Sequence, residues 1–206
     1  MEGPGAVTSV NHAPGRPRSH DVDTAILQAA LELLAARGPE GVTMNAVAKR
    51  SGVARASIYL RFPGRDALLA ATVRAAIGRD PFVLTGDLRA DLRLGAGQTQ
   101  AILANPDFRK VLPEIVRGLL RQPDGADAIS FEIVAPNRGP IADEYRRLAA
   151  GSGLRTDIDP GLPARLIVGG LLGYLLEEGT PPTPEMAAET AEIVIDGLKS
   201  PTATPR

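Results

Sequence analysis

Apolar residues in the first third of the chain repeat with the period of an α-helix. The first such face consists of Leu27, Ala30, Leu31 and Leu34. This spacing predicts a helix that begins near Asp23, because a helix returns to the same face every three to four residues. Asp21 or Asp23 can cap its start, and Gly38-Pro39 is expected to stop it.

Three further helices are predicted directly after this one. The second starts after the N-cap residue Thr43 and runs to about Arg50, where Gly52 ends it. The third extends over about 54–60 and stops at Pro63-Gly64. A longer helix then covers about 65–78.

The rest of the chain predicts longer helices and no sheet. They are expected at about 87–104, 106–121, 125–150, 161–177 and 184–199. Pro113 and Pro136 fall inside two of them and predict kinks or a split. No stretch alternates apolar and polar residues between turn signals, as a strand does. The predicted fold class is all-α, with a three-helix N-terminal domain and a larger C-terminal helical domain.

Residues 43–62 hold what two short helices need in order to cross at a tight turn. Ala48 is small where the second helix crosses the first, Gly52 tolerates a left-handed turn, and Ile58 can face inward. Val47, Val53 and Phe62 complete a small apolar core. This spacing predicts a helix-turn-helix, whose second helix enters the major groove of DNA.

The outward positions of that second helix carry groups suited to DNA. They are Arg55, Ala56, Ser57, Tyr59 and Arg61. Arginine reaches guanine or phosphate, serine can contact either, and a tyrosine hydroxyl can hold a phosphate. Thr43 caps a helix whose first N–H groups form an anion site, and Arg65 can clamp the DNA backbone. The alternative is a packing module whose basic face is only solvated.

Charge is divided unevenly along the chain, although the net charge is −1. Residues 1–79 carry a net charge of +4 and residues 80–206 a net charge of −5. The first 19 residues are rich in glycine, proline and polar residues, and predict a flexible arm that brings Arg16 and Arg18 to DNA. A basic head on an acidic body is typical of a double-stranded DNA-binding domain attached to a regulatory domain.

The composition excludes several kinds of catalytic and metal site. The chain has no cysteine, which removes disulfides, thiolate catalysis and cysteine-based zinc sites. The two histidines, His12 and His20, lie near the N-terminus, so the main body holds no histidine-based site. An enzyme would have to rely on carboxylates, arginine, serine or tyrosine, and no cluster of those is evident in the sequence. We therefore expect no enzyme, no cofactor and no metal.

Hydropathy predicts no membrane partner. The first 20 residues lack the apolar run of a signal peptide. The longest apolar stretch, Leu166 to Leu176, is about half of the ~20 residues that a transmembrane helix needs. A soluble cytoplasmic protein is expected.

This stretch nevertheless has to be buried, because it is apolar on every side. Gly169 and Gly173 are four residues apart and leave one face bare, so another helix can approach closely. One interpretation is a core helix, and the other is half of a four-helix dimer interface. The candidate interface residues are Leu166, Gly169, Gly170, Gly173, Met186, Ile193, Val194 and Leu198.

Aromatic and aliphatic residues of the middle helices can line an apolar cavity for a small molecule. The candidates are Phe82, Leu103, Phe108, Leu112, Ile115, Phe131 and Tyr174. For each of them, plain core packing is the competing interpretation, and the class of ligand cannot be read from these residues.

Motifs of the N-terminal domain resemble those of a known family. They are the leading helix Ala25–Gly38, Val42-Thr43-Met44, Ala46-Val47-Ala48, Gly52-Val53, Ser57-Ile58-Tyr59, Arg61-Phe62-Pro63 and Ala67-Leu68-Leu69. Residues 23–70 thereby resemble the tetracycline-repressor-like (TetR) transcriptional regulators. Ile102-Leu103, Pro106-x-Phe108, Ala135-Pro136 and the last two apolar helices resemble one subgroup of its ligand-binding domains more weakly.

The resemblance implies an all-α homodimer that binds a palindromic operator and releases it when an unknown small molecule enters the C-terminal domain. It implies DNA contacts at Thr43, Arg55, Ser57, Tyr59 and Arg65. Two positions depart from the family pattern. Ala54 stands where a capping serine is frequent, and Arg61 stands where a histidine is frequent.

The predicted organisation is an arm at 1–19, a helix-turn-helix domain at 20–64, a regulatory and dimerisation domain at 65–200 and a tail at 201–206. The predicted function is a DNA-binding transcriptional regulator, specifically a ligand-released repressor. Two alternatives stay open: a helix-turn-helix regulator without a small-molecule ligand, and a small helical enzyme or carrier.

Overall fold

The computed structural model describes residues 17–78, 83–121, 140–149 and 153–199. These residues form nine α-helices and no β-strand, which confirms the all-α fold class. The helices are α1 (Pro17–Gly41), α2 (Met44–Ser51), α3 (Arg55–Tyr59), α4 (Arg65–Ile77), α5 (Leu88–Ala104), α6 (Pro106–Arg121), α7 (Pro140–Ala149), α8 (Leu162–Glu178) and α9 (Pro184–Gly197). No helix in the described ranges is both long and apolar enough to cross a membrane.

Helix α1 starts earlier than the sequence predicts. It begins at Pro17, so residues 17–19 of the predicted arm are helical and Asp21 and Asp23 lie inside the helix instead of capping it. The predicted stop at Gly38-Pro39 is present as an interruption. Gly38 has φ 67° and ψ −177°, and Pro39 to Gly41 form one more turn beyond it.

Helices α2 and α3 form the predicted helix-turn-helix. The Thr43 side chain accepts a hydrogen bond from the Ala46 backbone N–H at 3.1 Å, and this cap starts α2. Gly52 ends α2 with φ 71°, and its N–H donates to the Ala48 carbonyl at 3.1 Å. Val47 and Ile58 are fully buried, so the two helices are held by the apolar core that the spacing predicts.

The N-terminal helices pack on one another and on the body. Helix α1 contacts α2, α4 and α6, and α4 also contacts α6. One continuous cluster of buried apolar residues runs through both parts of the chain. The helix-turn-helix therefore rests on α1, which also contacts α6 of the C-terminal domain.

The body is built around α5, which contacts α6, α7, α8 and α9. The Asp87 carboxylate caps α5 by accepting from the N–H groups of Arg89 at 2.9 Å and Ala90 at 3.2 Å. Pro113 lies inside α6 without splitting it. Of the helix predicted at 125–150, residues 140–149 are described as α7, and Pro136 lies outside the described residues.

Candidate DNA-binding surface

The surface of α3 separates into an inward and an outward side. Ile58 is fully buried, whereas Arg55, Ala56 and Tyr59 are exposed and Ser57 is half-buried. A five-residue helix thus presents its polar side chains to solvent from a firmly packed base. This is the arrangement that a DNA-reading helix needs.

Arg55 and Tyr59 interact with each other on this outward side. The Arg55 Nη2 donates to the Tyr59 hydroxyl at 3.3 Å, and the Arg55 Cζ lies 5.3 Å from the centre of the Tyr59 ring. The two residues are one helical turn apart, which brings their side chains together. The Arg55 guanidinium and the Tyr59 side chain are therefore in direct contact on the surface of α3.

The start of α3 has no side-chain cap. Ala54 occupies the N-cap position, and no side chain accepts a hydrogen bond from the first turn of the helix. The departure from the family pattern noted at Ala54 therefore has the expected structural consequence. Such a missing cap costs about 1 kcal/mol of helix stability.

Arg61 is bound within the protein. Its Nε donates to the Asp23 carboxylate of α1 at 2.5 Å, and its Nη1 donates to the Ser57 carbonyl at 3.1 Å. The Arg61 guanidinium thus joins the segment that follows α3 to α1. Because Nε and Nη1 are engaged within the protein, we expect Arg61 to have an internal role in place of the phosphate contact predicted from its position in the sequence.

Arg65 is anchored in a similar way. Its Nε donates to the Val42 carbonyl at 3.1 Å, and its Nη2 lies 3.4 Å from the Glu40 carboxylate. These contacts tie the first residue of α4 to the last turn of α1 and to the loop that follows it. Thr43, which is also predicted to lie near a phosphate, is exposed in that loop.

A second ion pair fastens α2 to α1. The Arg50 Nε lies 2.5 Å from the Glu32 carboxylate. The Arg50 guanidinium, together with the Gln28 amide, holds the pKa of Glu32 below its ordinary value. Lys49 is an exposed basic residue on the same last turn of α2.

Two exposed residues near α3 were not among the predicted DNA contacts. Lys49 lies on the short helix before the turn, and Leu60, which directly follows α3, has 86% of its surface exposed. The basic character of Lys49 was a usable signal, but the exposure of Leu60 depends on how α3 is seated. Of the arm residues, Arg16 lies outside the described residues and Arg18 lies in the first turn of α1.

Helix α8 shows a buried stripe and a bare face. Pro163, Ile167, Leu171 and Leu175 are buried at intervals of four residues. On the other side, Leu166 is 51% exposed and Gly169 and Gly170 are exposed. A Cβ atom built at Gly169 or Gly173 meets no atom within 4 Å in the protomer.

Helix α9 contributes unequally to this surface. Ile193 is 68% exposed and Met186 is half-buried, whereas Val194 and Leu198 are buried within the protomer. Val194 and Leu198 therefore lie beneath the exposed face and support it from inside. The first six of the eight predicted interface residues retain surface that a partner can contact.

The residues predicted to line a ligand cavity are mostly core residues here. Leu103, Phe108 and Ile115 are buried in the main apolar cluster. Leu112 and Tyr174 are half-buried, and Phe82 and Phe131 lie outside the described residues. The structure therefore brings three of the seven together as packing, which was the competing interpretation.

Two cavities of the described part lie elsewhere. A groove of about 380 Å³ between α8 and α9 is lined by Leu162, Leu166 and Ile193 among others. A second cavity of about 490 Å³, at the start of α5 and the end of α9, is lined by residues that include Leu88 and Ile195. None of the residues predicted to line a ligand cavity lines either one, whereas Leu166, Ile193, Val194 and Leu198, which were predicted for the dimer interface, line the first.

Two parts of the chain match known protein families. Residues 26–72 match the family described as bacterial regulatory proteins, tetR family. Residues 83–194 match the tetracyclin repressor-like C-terminal domain, which alone spans more than half of the chain. The chain belongs to the TetR family. It is a DNA-binding transcriptional regulator, and TetR regulators are in general non-enzymatic.

Solved structures share this fold at low sequence identity. A TetR-family transcriptional regulator from Pseudomonas syringae pv. tomato DC3000 is 19% identical, with 86% of this chain and 94% of that chain covered and a TM-score of 0.59. The flavonoid-responsive regulator FrrA is 22% identical, with 89% and 100% covered and a TM-score of 0.60. Bacillus subtilis FadR in complex with stearoyl-CoA is 15% identical, with 84% and 98% covered and a TM-score of 0.56. No curated protein matches the sequence significantly.

Proposed function

We propose that this TetR-family protein is a homodimeric repressor that binds a palindromic operator and leaves it when a small molecule binds the body. The observation that carries the DNA side of this proposal is the outward face of α3, where Arg55, Ala56 and Tyr59 are exposed above a buried Ile58. Ser57 is half-buried between them and can contact base or phosphate. A protein that binds operator DNA in a bacterium acts in the cytoplasm.

The remaining proposed contacts serve the DNA backbone. Thr43 lies at the start of α2, where free N–H groups favour a phosphate. Lys49 is exposed one turn before Gly52 and adds positive charge. Arg65 is proposed as a backbone contact whose position is set by its bond to the Val42 carbonyl. Arg16 and Arg18 of the predicted arm are proposed to add contacts from the side of α1.

The homodimer is proposed to form through α8 and α9. Their exposed apolar and glycine positions, which include Leu166, Gly169 and Ile193, make a face that a second copy can cover. Because glycine has no side chain, the α8 helices of two copies can approach each other closely at these positions. A twofold dimer sets its two reading helices about 34–36 Å apart, which is one turn of the duplex. The two half-sites of the operator are therefore expected to be inverted repeats.

The effector is proposed to bind within the body among the middle helices. FrrA is described as flavonoid-responsive, and FadR was solved with stearoyl-CoA. For this chain, the half-buried Leu112 packs against the apolar cluster that contains the buried Leu103, Phe108 and Ile115, and Tyr174 of α8 is half-buried. Bulky apolar molecules therefore make the first test set.

Selection of duplexes from a random pool at near-physiological salt tests the DNA-binding part. An enriched inverted repeat with half-sites one turn apart is expected. Arg55→Ala should relax the preference at one position per half-site, while Lys49→Ala should weaken all duplexes equally and flatten the dependence on salt. If no sequence is enriched over the pool, the protein is not a sequence-specific regulator.

A matched pair of glycine variants tests the dimer. Gly169 of α8 and Gly97 of α5 are exposed helical glycines, and an added Cβ meets nothing within 4 Å at either position. Gly169→Leu should weaken self-association by about tenfold or more, because overpacking a close helix contact is costly, while Gly97→Leu leaves it unchanged. Sedimentation at several concentrations measures this. Equal behaviour of the two variants would place the interface elsewhere.

Release by an effector is tested on the operator that the selection yields. Stearoyl-CoA and a flavonoid are added to the bound complex, and thermal unfolding of the free protein is recorded with each. A molecule that both raises the melting temperature and releases the operator supports the proposal. If a broader set of apolar molecules does neither, the protein is a regulator without a small-molecule ligand.

A further inference from the structure

Tyr59 sits against the side chain that is best suited to read a base. The Arg55 guanidinium donates from Nη2 to the Tyr59 hydroxyl at 3.3 Å, and its Cζ lies 5.3 Å from the ring centre. Both side chains are exposed on the outward side of α3. The contact is therefore made in the protein without DNA, at the surface where DNA is proposed to bind.

An exposed arginine normally moves among many rotamers, and binding a base requires one of them. The loss of this freedom weakens each hydrogen bond that the guanidinium forms. A tyrosine ring and hydroxyl that hold the guanidinium beforehand remove part of the loss. This support matters in a helix of five residues that has no side-chain cap at Ala54.

Arg55 and Tyr59 have enough hydrogen-bonding groups to contact each other and DNA in the same complex. A guanidinium has five N–H donors, and Tyr59 accepts from one of its nitrogens. The remaining donors include the pair that guanine O6 and N7 require. The Tyr59 hydroxyl proton is still available to donate to a phosphate oxygen. Tyr59 can thus hold Arg55 and touch the DNA backbone in the same complex.

We propose that Tyr59 is a positioning residue for Arg55 and thereby sets the preference of the protein for guanine at one position of each half-site. This inference rests on the proposed function as an operator-binding regulator. It differs from a plain phosphate contact in its consequence. A phosphate contact strengthens binding to every duplex equally, whereas a positioned arginine strengthens binding to one base over the others.

The experiment starts from the operator that the wild-type protein selects. Arg55→Ala first identifies the base pair whose preference depends on Arg55. Affinities are then measured for the operator, for the operator with that pair exchanged, for the operator with 7-deazaguanine at that position, and for an unrelated duplex. The proteins are the wild type, Tyr59→Phe, Tyr59→Leu, Arg55→Ala and the double variant of Arg55→Ala with Tyr59→Leu.

The expected result is a graded loss of discrimination. Arg55→Ala should lower the preference for guanine at this position by about tenfold or more. Tyr59→Leu, which lacks both ring and hydroxyl, should lower it by about 3- to 10-fold, and Tyr59→Phe, which keeps the ring, by about 2- to 4-fold. In the Arg55→Ala background, Tyr59→Leu should change this preference no further, because the side chain that it positions is gone.

Three outcomes overturn the inference. Equal weakening of all duplexes by both Tyr59 variants makes Tyr59 a phosphate contact only. A further loss of preference in the double variant means that Tyr59 acts independently of Arg55. No position whose preference depends on Arg55 means that there is nothing to position. If the wild-type protein itself selects no sequence, the proposed function fails before the inference is reached.

Lys49→Ala serves as the control, since Lys49 is an exposed cation of α2 with no part in the Arg55–Tyr59 contact. It should lower the affinity for every duplex and leave the preference at each base pair unchanged. Thermal unfolding of all variants checks that they fold. Tyr59 is exposed, so its replacement is expected to change the melting temperature little.

Discussion

Replacing Arg61 with alanine is expected to weaken the fold of the DNA-binding domain and to leave the number of phosphate contacts unchanged. The Arg61 guanidinium bonds to the Asp23 carboxylate at 2.5 Å and to the Ser57 carbonyl at 3.1 Å. The first bond crosses from the end of α3 to α1. These bonds link the segment that follows α3 to α1, and we therefore expect Arg61 to hold α3 in place without contacting a phosphate.

The size of the effect follows from these two contacts. The side chains of Arg61 and Asp23 are 28% and 42% exposed, so solvent screens their ion pair and limits it to about 0.2–1 kcal/mol. The bond to the Ser57 carbonyl adds about 0.5–1.5 kcal/mol. A total of about 1–2 kcal/mol lowers the melting temperature of a chain of this length by about 2–8 °C.

Two measurements separate this role from a phosphate contact. Thermal unfolding of Arg61→Ala and Asp23→Ala should show losses in both, and the double variant should lose less than their sum because the two residues share one bond. Operator affinity is then measured at several salt concentrations. Removing one phosphate contact reduces the slope of log K against log salt by about 0.9, and none is expected to be removed. A reduced slope with an unchanged melting temperature would refute the structural role.

Three further substitutions test the fold. Ile58→Ala should lose about 2–5 kcal/mol of unfolding free energy in urea, since Ile58 is fully buried, and a smaller loss means that α3 is packed less firmly than described. Gly52→Ala should cost about 1–2 kcal/mol through its φ of 71° alone, because an added Cβ meets nothing within 4 Å, and an unchanged urea midpoint would contradict this. Glu192 has a pKa lowered by the Arg93 guanidinium, so its folded state resists protonation and stability falls as pH drops below the ordinary value of 4.5. Glu192→Gln should flatten the fall in melting temperature in that window, and an equal fall in both proteins would exclude this pair as its source.

Helix boundaries near the turn were predictable because their causes are local. The cap at Thr43, the left-handed residue at Gly52 and the inward position of Ile58 are each set by neighbours within a few residues. The observed helices Met44–Ser51 and Arg55–Tyr59 therefore lie close to the predicted ones. The start of α1 at Pro17 differs from the prediction, because the glycine and proline content of the first residues indicates an arm.

The site itself was only half predictable. Arg55, Ala56 and Tyr59 are exposed where the helical period places them, but nothing in that period shows that Arg55 and Tyr59 bind each other. Similarly, hydrophobicity alone placed Val194 and Leu198 with Ile193 on one surface, whereas packing buries the first two. The hydrophobic pattern predicts that a side chain is buried, but only the tertiary structure shows whether it is buried within its own protomer or remains exposed on its surface.

The sequence by itself determined the helical fold, the helix-turn-helix and its family, because period, caps and turn residues act over a few positions. The tertiary structure alone decided which arginines pair with distant parts of the chain. Arg61 meets Asp23 across 38 residues and Arg50 meets Glu32 across 18, so both are held by α1. Arg55, which has its partner on its own helix, stays at the surface. The sequence gives the number of charged residues, but the tertiary structure determines which of them lie close enough to form ion pairs.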